Sequence, residues 1–64
     1  MTSTEKLRWI YSQELHASIS WVWDGGFDWV LGWPEDQVVA YGNSEHLELA
    51  IEDLYRAAKE HLKT

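Results

Sequence analysis

Three histidines and eleven acidic residues are the side chains of this 64-residue chain that could hold a metal or move protons. His46 and His61 fall on one predicted helix, where 15 positions separate them by about 22 Å along the axis. They are therefore too far apart to share an ion. His16 lies in a predicted strand among serines, and no local motif supplies it with carboxylate partners. The sequence therefore predicts no metal site and no cofactor.

Nucleophilic catalysis would need a serine, a base and an orienting acid in one place. The chain has no nucleophile-elbow motif, and Asp24-Gly25-Gly26 lacks the lysine and the following helix of a phosphate loop. Asp24 and Asp28 could in principle do acid–base work, but a domain of this size has little room for a pocket that excludes water. We expect no enzymatic activity.

The spacing of several carboxylates along the chain could create a binding surface. Glu45, Glu48 and Glu52 lie three and four residues apart, which places neighbours about 5–6 Å apart on one helix face. Such an acidic surface could simply keep an aromatic-rich protein soluble, or it could offer a basic cleft the charge pattern of a phosphate backbone. The predicted partner-binding residues are Glu45, Glu48, Glu52 and Asp53 on the last helix and Asp24, Asp28, Glu35 and Asp36 in two turns.

Charge and composition limit the classes of partner. The formal net charge is −6, so the surface repels nucleic acid and anionic lipid and can attract a basic cleft. There is no cysteine, hence no disulfide framework, and no apolar run reaches the roughly 20 residues of a membrane span. We expect a cytoplasmic protein, a monomer in preference to a dimer, that binds neither membrane nor nucleic acid directly. Self-association through the outer sheet face or a free sheet edge stays open.

Four of the five tryptophans and the only phenylalanine surround one Asp-Gly-Gly turn in the stretch WVWDGGFDWVLGW. Side chains alternate on both sides of this turn, as in a hairpin. A three-residue loop of Asp24, Gly25 and Gly26, with Gly26 left-handed, would place Trp23 opposite Phe27. Trp21 would then face Trp29, and Ile19 would face Leu31. All the large rings would lie on one face, and we expect most of them to be buried in the core.

The remaining elements complete an α+β fold. A capping box at Thr2 to Glu5 favours a helix at residues 3–14, although alternating apolar residues there also allow a strand. The last helix has an apolar stripe and Ser44 or Asn43 as its N-cap. We predict a two-layer α-β-β-β-α domain with both helices on one face of a three-stranded antiparallel sheet. The predicted elements are a helix at 3–14, strands at 15–23, 27–33 and 37–41, and a helix at 44–62.

The predicted order of elements resembles that of double-stranded-RNA-binding domains. That family carries a lysine-rich motif at the start of its last helix, where this chain has Ser44-Glu45-His46-Leu47-Glu48, so the charge is inverted. Small size, acidity and this order together are similar to some phage-encoded anti-CRISPR proteins. That resemblance implies an inhibitor that occupies the DNA-binding site of a CRISPR effector in the host bacterial cytoplasm.

Two functions are consistent with these features. The first is a non-enzymatic inhibitor whose carboxylates contact the basic DNA- or RNA-binding cleft of a partner protein, in the manner of a DNA mimic. The alternative is a small regulatory or scaffold module that binds its partner through an apolar sheet face or a free sheet edge. Val22 and Val30 would lie on that outer face, together with whichever of Val38 and Val39 points the same way.

Overall fold

A computed structural model describes residues 2–32 and 37–63 of the chain. The observed order of elements is helix, three strands, helix, which confirms the predicted α+β class. The elements are α1 (Ser3–Ser12), β1 (His16–Val22), β2 (Gly26–Gly32), β3 (Val38–Ser44) and α2 (Leu47–Lys63). The predicted second turn, with Pro34, Glu35 and Asp36, lies outside the described residues.

The first helix begins at the capping box that the sequence indicated. The Thr2 hydroxyl accepts from the Glu5 amide at 3.1 Å, and the Glu5 carboxylate accepts from the Thr2 amide at 3.3 Å. The helical interpretation of this segment is therefore confirmed over the strand. Helix α1 ends at Ser12, two residues earlier than predicted, and Glu14 takes a left-handed conformation with φ 62°. This turn directs Leu15 into the core, where only 2% of its surface is exposed.

The strands form one antiparallel sheet in the order β1-β2-β3. The predicted register between β1 and β2 is wrong by two residues: Trp21 pairs with Phe27, and Ile19 pairs with Trp29. The reason lies in the turn, which closes between Val22 and Gly25 (amide to carbonyl, 3.3 Å). Gly26 is left-handed as predicted, with φ 83°, but it already belongs to β2. A shift of two leaves every side chain on its predicted face.

The third strand is longer than predicted, and the last helix begins later. Asn43 and Ser44 pair with Asp28 and Phe27 at the end of β3, so neither residue is the N-cap of α2. The first intrahelical bond of α2 runs from the Ala50 amide to the His46 carbonyl at 3.0 Å. The sheet ladder therefore prevailed over the local capping signal, because it satisfies the backbone groups of both residues.

The core lies between the sheet and the two helices. Side chains from α1, α2 and the inner face of β2 join one buried cluster, and the helices also contact each other through the edge-to-face pair Trp9–Tyr55. This contact pattern agrees with both helices lying over the same side of the sheet. The cluster consists of Ile10, Leu15, Trp29, Leu31, Ala50, Leu54 and Ala58.

The prediction that the indole rings near the hairpin turn all point into the core is wrong for two of them. Trp29 is only 8% exposed, whereas Trp21 is 63% and Trp23 is 83% exposed. The register explains the difference, because it places Ala17 and Ile19 opposite the buried Leu31 and Trp29, and it carries Trp21 toward the hairpin end. Trp23 lies in the turn itself.

Trp29 packs closely on β3. A Cβ atom at Gly42 would lie 2.6 Å from Cζ2 and 2.9 Å from Nε1 of its indole, so the ring rests directly on the glycine backbone. The Trp29 Nε1–H is buried and has no hydrogen-bond partner among the described residues. An unsatisfied buried donor costs about 1–3 kcal/mol. Close contact of the large ring with the core offsets that cost.

Candidate functional site

The acidic residues of the last helix divide into two kinds. Glu45, just before α2, and Glu48, in its first turn, are exposed. Glu52 forms an ion pair with Lys6 of α1, and its other carboxylate oxygen lies 3.8 Å from Nε of Arg56. The carboxylates of Glu45 and Glu48 are therefore accessible to a partner, whereas Glu52 links α2 to α1.

Asp53 also has a structural contact. The hydroxyl of Ser44 donates to its carboxylate at 2.7 Å, and Ser44 is the one buried polar residue that the described part of the core holds. This bond ties the end of β3 to the second turn of α2. Of the four acids predicted on the last helix, two therefore have intramolecular partners.

The pKa of Glu52 is lowered from its ordinary value of 4.5 by the hydrogen bond from Lys6 and by the charge of that ammonium group. Ionised Glu52 therefore favours the folded state. Its contribution to the free energy of unfolding is present above pH 4.5 and is lost as the pH falls through the lowered pKa. When the pH is lowered from 7 to 3, we expect the free energy of unfolding to fall less in Lys6→Met than in the unmodified chain. Urea unfolding of both proteins at each pH measures this difference.

Lys63→Met is the matched control for this prediction, since Lys63 is an exposed cation in the last turn of α2. It should show the same acid sensitivity as the unmodified chain. An equal loss of stability on acidification in all three proteins would contradict the assignment to the Lys6–Glu52 pair.

The second predicted acidic cluster lies only partly within the described residues. Asp24 is exposed in the β1–β2 turn. Asp28 is exposed on β2, where its carboxylate accepts a hydrogen bond from the side-chain amide of Asn43 at 2.7 Å. Glu35 and Asp36 fall outside the described residues. The structure thus places two acids of this cluster near the hairpin, on a different element from Glu45 and Glu48.

The outer face of the sheet carries a groove. Trp29 and Leu31 point into the core, so the alternating residues Asp28 and Val30 point away from the helices. Val30 pairs with Tyr41, which is 78% exposed, and Val38 is 63% exposed. The groove has a volume of about 600 Å³. We call it the sheet groove; its lining residues are Asp28, Trp29, Val30, Val38, Tyr41, Gly42 and Asn43.

The irregularity between Leu31 and Gly32 decides which valine joins the sheet groove. The register shifts there so that Gly32 pairs with Val38. Val39 packs against the core, and Val38 is left on the groove side. The sequence could not distinguish the two valines, and Tyr41 was missed as a member of this surface, although its alternation with Ala40 and Gly42 was the available signal.

A second apolar surface lies at the end of the β1–β2 hairpin. The rings of Trp21 and Trp23 contact each other edge to face, with centroids 5.5 Å apart and planes at 67°. We call these two residues the indole pair. Sequence reasoning assigned them to the core, because alternation shows which face a side chain occupies and not how far along the strand the helices extend.

Positive charge is confined to the helical layer. Lys6 and Arg8 lie on α1, and Arg56, Lys59 and Lys63 lie on α2. The three strands contain neither lysine nor arginine. The sheet groove and the indole pair are therefore apolar surfaces next to acidic residues, and they lie on a hairpin and a sheet whose strands contain neither lysine nor arginine.

No three His, Asp or Glu side chains within residues 2–32 and 37–63 form a group that could hold a metal ion. His61 lies in the last turn of α2 as predicted, whereas His46, predicted on the same helix, lies just before its first residue. Neither α1 nor α2 has the length and apolar composition needed to cross a bilayer. Comparison of the chain with protein-family models, curated proteins and solved structures found no match.

Proposed function

We propose that this protein is a non-enzymatic binding module whose partner, another protein, docks on the outer face of the sheet. The sheet groove is the observation that supports this most directly. Val30, Val38 and Tyr41 present apolar surface there, and the two-layer fold provides no described element to cover it. An exposed groove lined by apolar side chains and rimmed by polar ones is a feature that interaction sites share.

The charge of the sheet defines the partner's chemistry. Asp28 lies in the groove, the strands carry neither lysine nor arginine, and the whole chain has a net charge of −6. A complementary partner has an apolar stripe flanked by lysine or arginine, as in a basic amphipathic helix. A second copy of this chain would bring like charges together, which disfavours self-association through this face.

The area of the face also argues against a dimer. Three strands of seven residues cover about 24 Å by 14 Å, or roughly 340 Å². Two copies stacked face to face would bury about 700 Å² in total, below the roughly 1,200 Å² of a stable interface. A basic segment that also reaches the acidic side chains around the face can bury more surface than a flat, self-repelling dimer.

A second candidate is the DNA-mimic inhibitor of the anti-CRISPR type. It is favoured by the exposure of Glu45 and Glu48, next to the start of α2, and of Asp24 at the hairpin. In this mode the carboxylates would contact the basic nucleic-acid-binding cleft of an effector protein. Glu52 and Asp53 would take part only if they gave up their bonds to Lys6 and Ser44.

Affinity capture with three forms of the protein tests both candidates. The unmodified chain, Val30→Thr/Tyr41→Thr and Glu45→Lys/Glu48→Lys would each be immobilised and exposed, at low and moderate salt, to lysate of the encoding organism and to a panel of CRISPR effectors. Threonine keeps the β-propensity of both strand positions while removing apolar area. The helix variant avoids Glu52, whose reversal would break the contact between α1 and α2.

Under our proposal, the sheet variant loses the captured partner, the helix variant retains it, and moderate salt weakens binding only modestly. We expect the sheet variant to bind at least about tenfold more weakly, since tyrosine is enriched among the central interface residues whose truncation costs about 2 kcal/mol or more. Loss of binding in the helix variant together with a steep salt dependence would instead support the DNA mimic. Retention by both variants would contradict both candidates.

A further inference from the structure

The indole pair is an exposed aromatic surface that the proposed function does not use. Trp21 lies near the end of β1 and Trp23 in the following turn, and most of each ring is open to solvent. Tryptophan is highly buried on average, so two exposed rings in mutual contact are unusual on a small domain. Their planes meet at 67° in an edge-to-face contact, so the two rings form one exposed aromatic surface.

The electrostatics of this aromatic surface favour a cation. The face of an indole carries negative potential, and Asp24 is exposed in the same turn. Cation–π contacts already occur elsewhere in the chain, at the ring of Tyr55. The ammonium groups of Lys59 and Lys6 lie 5.0 and 5.7 Å from its centroid. No lysine or arginine of the described residues lies over Trp21 or Trp23 in this way.

We propose that the indole pair, together with Asp24, binds a cationic lysine or arginine side chain of a partner protein. Tryptophan is the strongest cation–π acceptor among the side chains, and the two ring faces and the carboxylate would attract the same positive charge. A second copy of this chain would instead present Asp24 to Asp24, and the like charges would repel. This inference concerns a surface separate from the sheet groove and does not require that the groove be occupied.

The test uses the isolated chain, labelled with 5-fluorotryptophan so that each indole gives its own fluorine NMR signal. Signals are assigned with Trp21→Phe, Trp23→Phe and Trp29→Phe. The protein is titrated at constant ionic strength with N-acetyl-arginine amide, N-acetyl-lysine amide or N-acetyl-norleucine amide, the last being apolar and uncharged. We expect the Trp21 and Trp23 signals to shift with one or both cationic probes, and the Trp29 signal to stay constant.

Two variants determine which groups bind the probe. Trp23→Leu keeps an apolar side chain but removes a ring face, and Asp24→Asn leaves both rings in place; each should weaken binding by about two- to fivefold, the range of an exposed cation–π or charge contact. Because both positions are exposed, the fold should survive, and an unchanged Trp29 signal checks this. Equal shifts with the norleucine probe, or none with the cationic probes, would overturn the inference. Either result would leave the capture experiment on the sheet groove unaffected.

Discussion

Gly26→Ala is expected to lower the free energy of unfolding by about 2–3 kcal/mol, since two separate penalties meet at this residue. Its φ of 83° is strained for any residue with a side chain, at a cost of order 1–3 kcal/mol. A Cβ there would also lie 2.4 Å from the Ser44 carbonyl oxygen, which belongs to the backbone of β3. For a domain of this size the loss corresponds to a fall in melting temperature of roughly 10–20 °C, measurable by circular dichroism.

The neighbouring glycine provides a matched control for that prediction. Gly25 does not have a left-handed φ, and a Cβ added to it would meet only a methyl group of Val22, at 3.3 Å, and more distant side-chain atoms. Gly25→Ala should therefore cost less than about 1 kcal/mol. If both alanine variants melted at the same temperature, neither the left-handed φ of Gly26 nor its close approach to Ser44 would be what constrains the turn.

Gly42→Ala is expected to cost about 1–3 kcal/mol, because the added methyl group would overlap the buried indole of Trp29. The nearest ring atoms would be only 2.6, 2.8 and 2.9 Å away, and the ring is packed in the core and cannot move aside freely. Urea unfolding of the single variant measures the effect, in a buffer that contains sulfate so that the folded state is stabilised.

A double-mutant cycle shows whether the ring is the cause. Trp29→Leu is itself destabilising, by about 2–4 kcal/mol, because it removes buried aromatic area. In that background Gly42→Ala should cost close to nothing, since the overlapping atoms are gone and alanine loses less backbone entropy on folding than glycine. Strict additivity of the two changes would show that Gly42 is required for some reason other than contact with Trp29.

These glycine contacts connect the fold to the proposed binding surfaces. Gly26 sets the register that carries Trp21 toward the hairpin end, and Gly42 lets Trp29 lie flat beneath the strand that carries Tyr41. A variant that disturbs either glycine should therefore alter both stability and binding. For this reason the binding tests use exposed positions such as Tyr41 and Trp23, whose replacement leaves the core intact.

Periodicity and capping in the sequence were sufficient to predict the number, type and order of the elements. The capping box at Thr2, the alternation around the Asp-Gly-Gly turn and the apolar stripe through Ala50 and Leu54 are local signals, and each element formed as indicated. The face that each residue of β1 and β2 occupies was also predictable, because it depends only on odd or even position along the strand. The left-handed Gly26 followed from turn chemistry.

The tertiary structure decided how far along the sheet the helices extend and which carboxylates stay open. A two-residue shift in register leaves the faces unchanged, yet it moves Trp21 from the core to the surface, and no local pattern distinguishes the two registers. The hydrogen bond from Lys6 to Glu52 joins residues that are 46 positions apart, and the one from Ser44 to Asp53 joins residues that are nine positions apart. Such contacts depend on how whole helices and strands pack together. The exposed indoles and the acids bonded within the chain could therefore be assigned only from the folded structure.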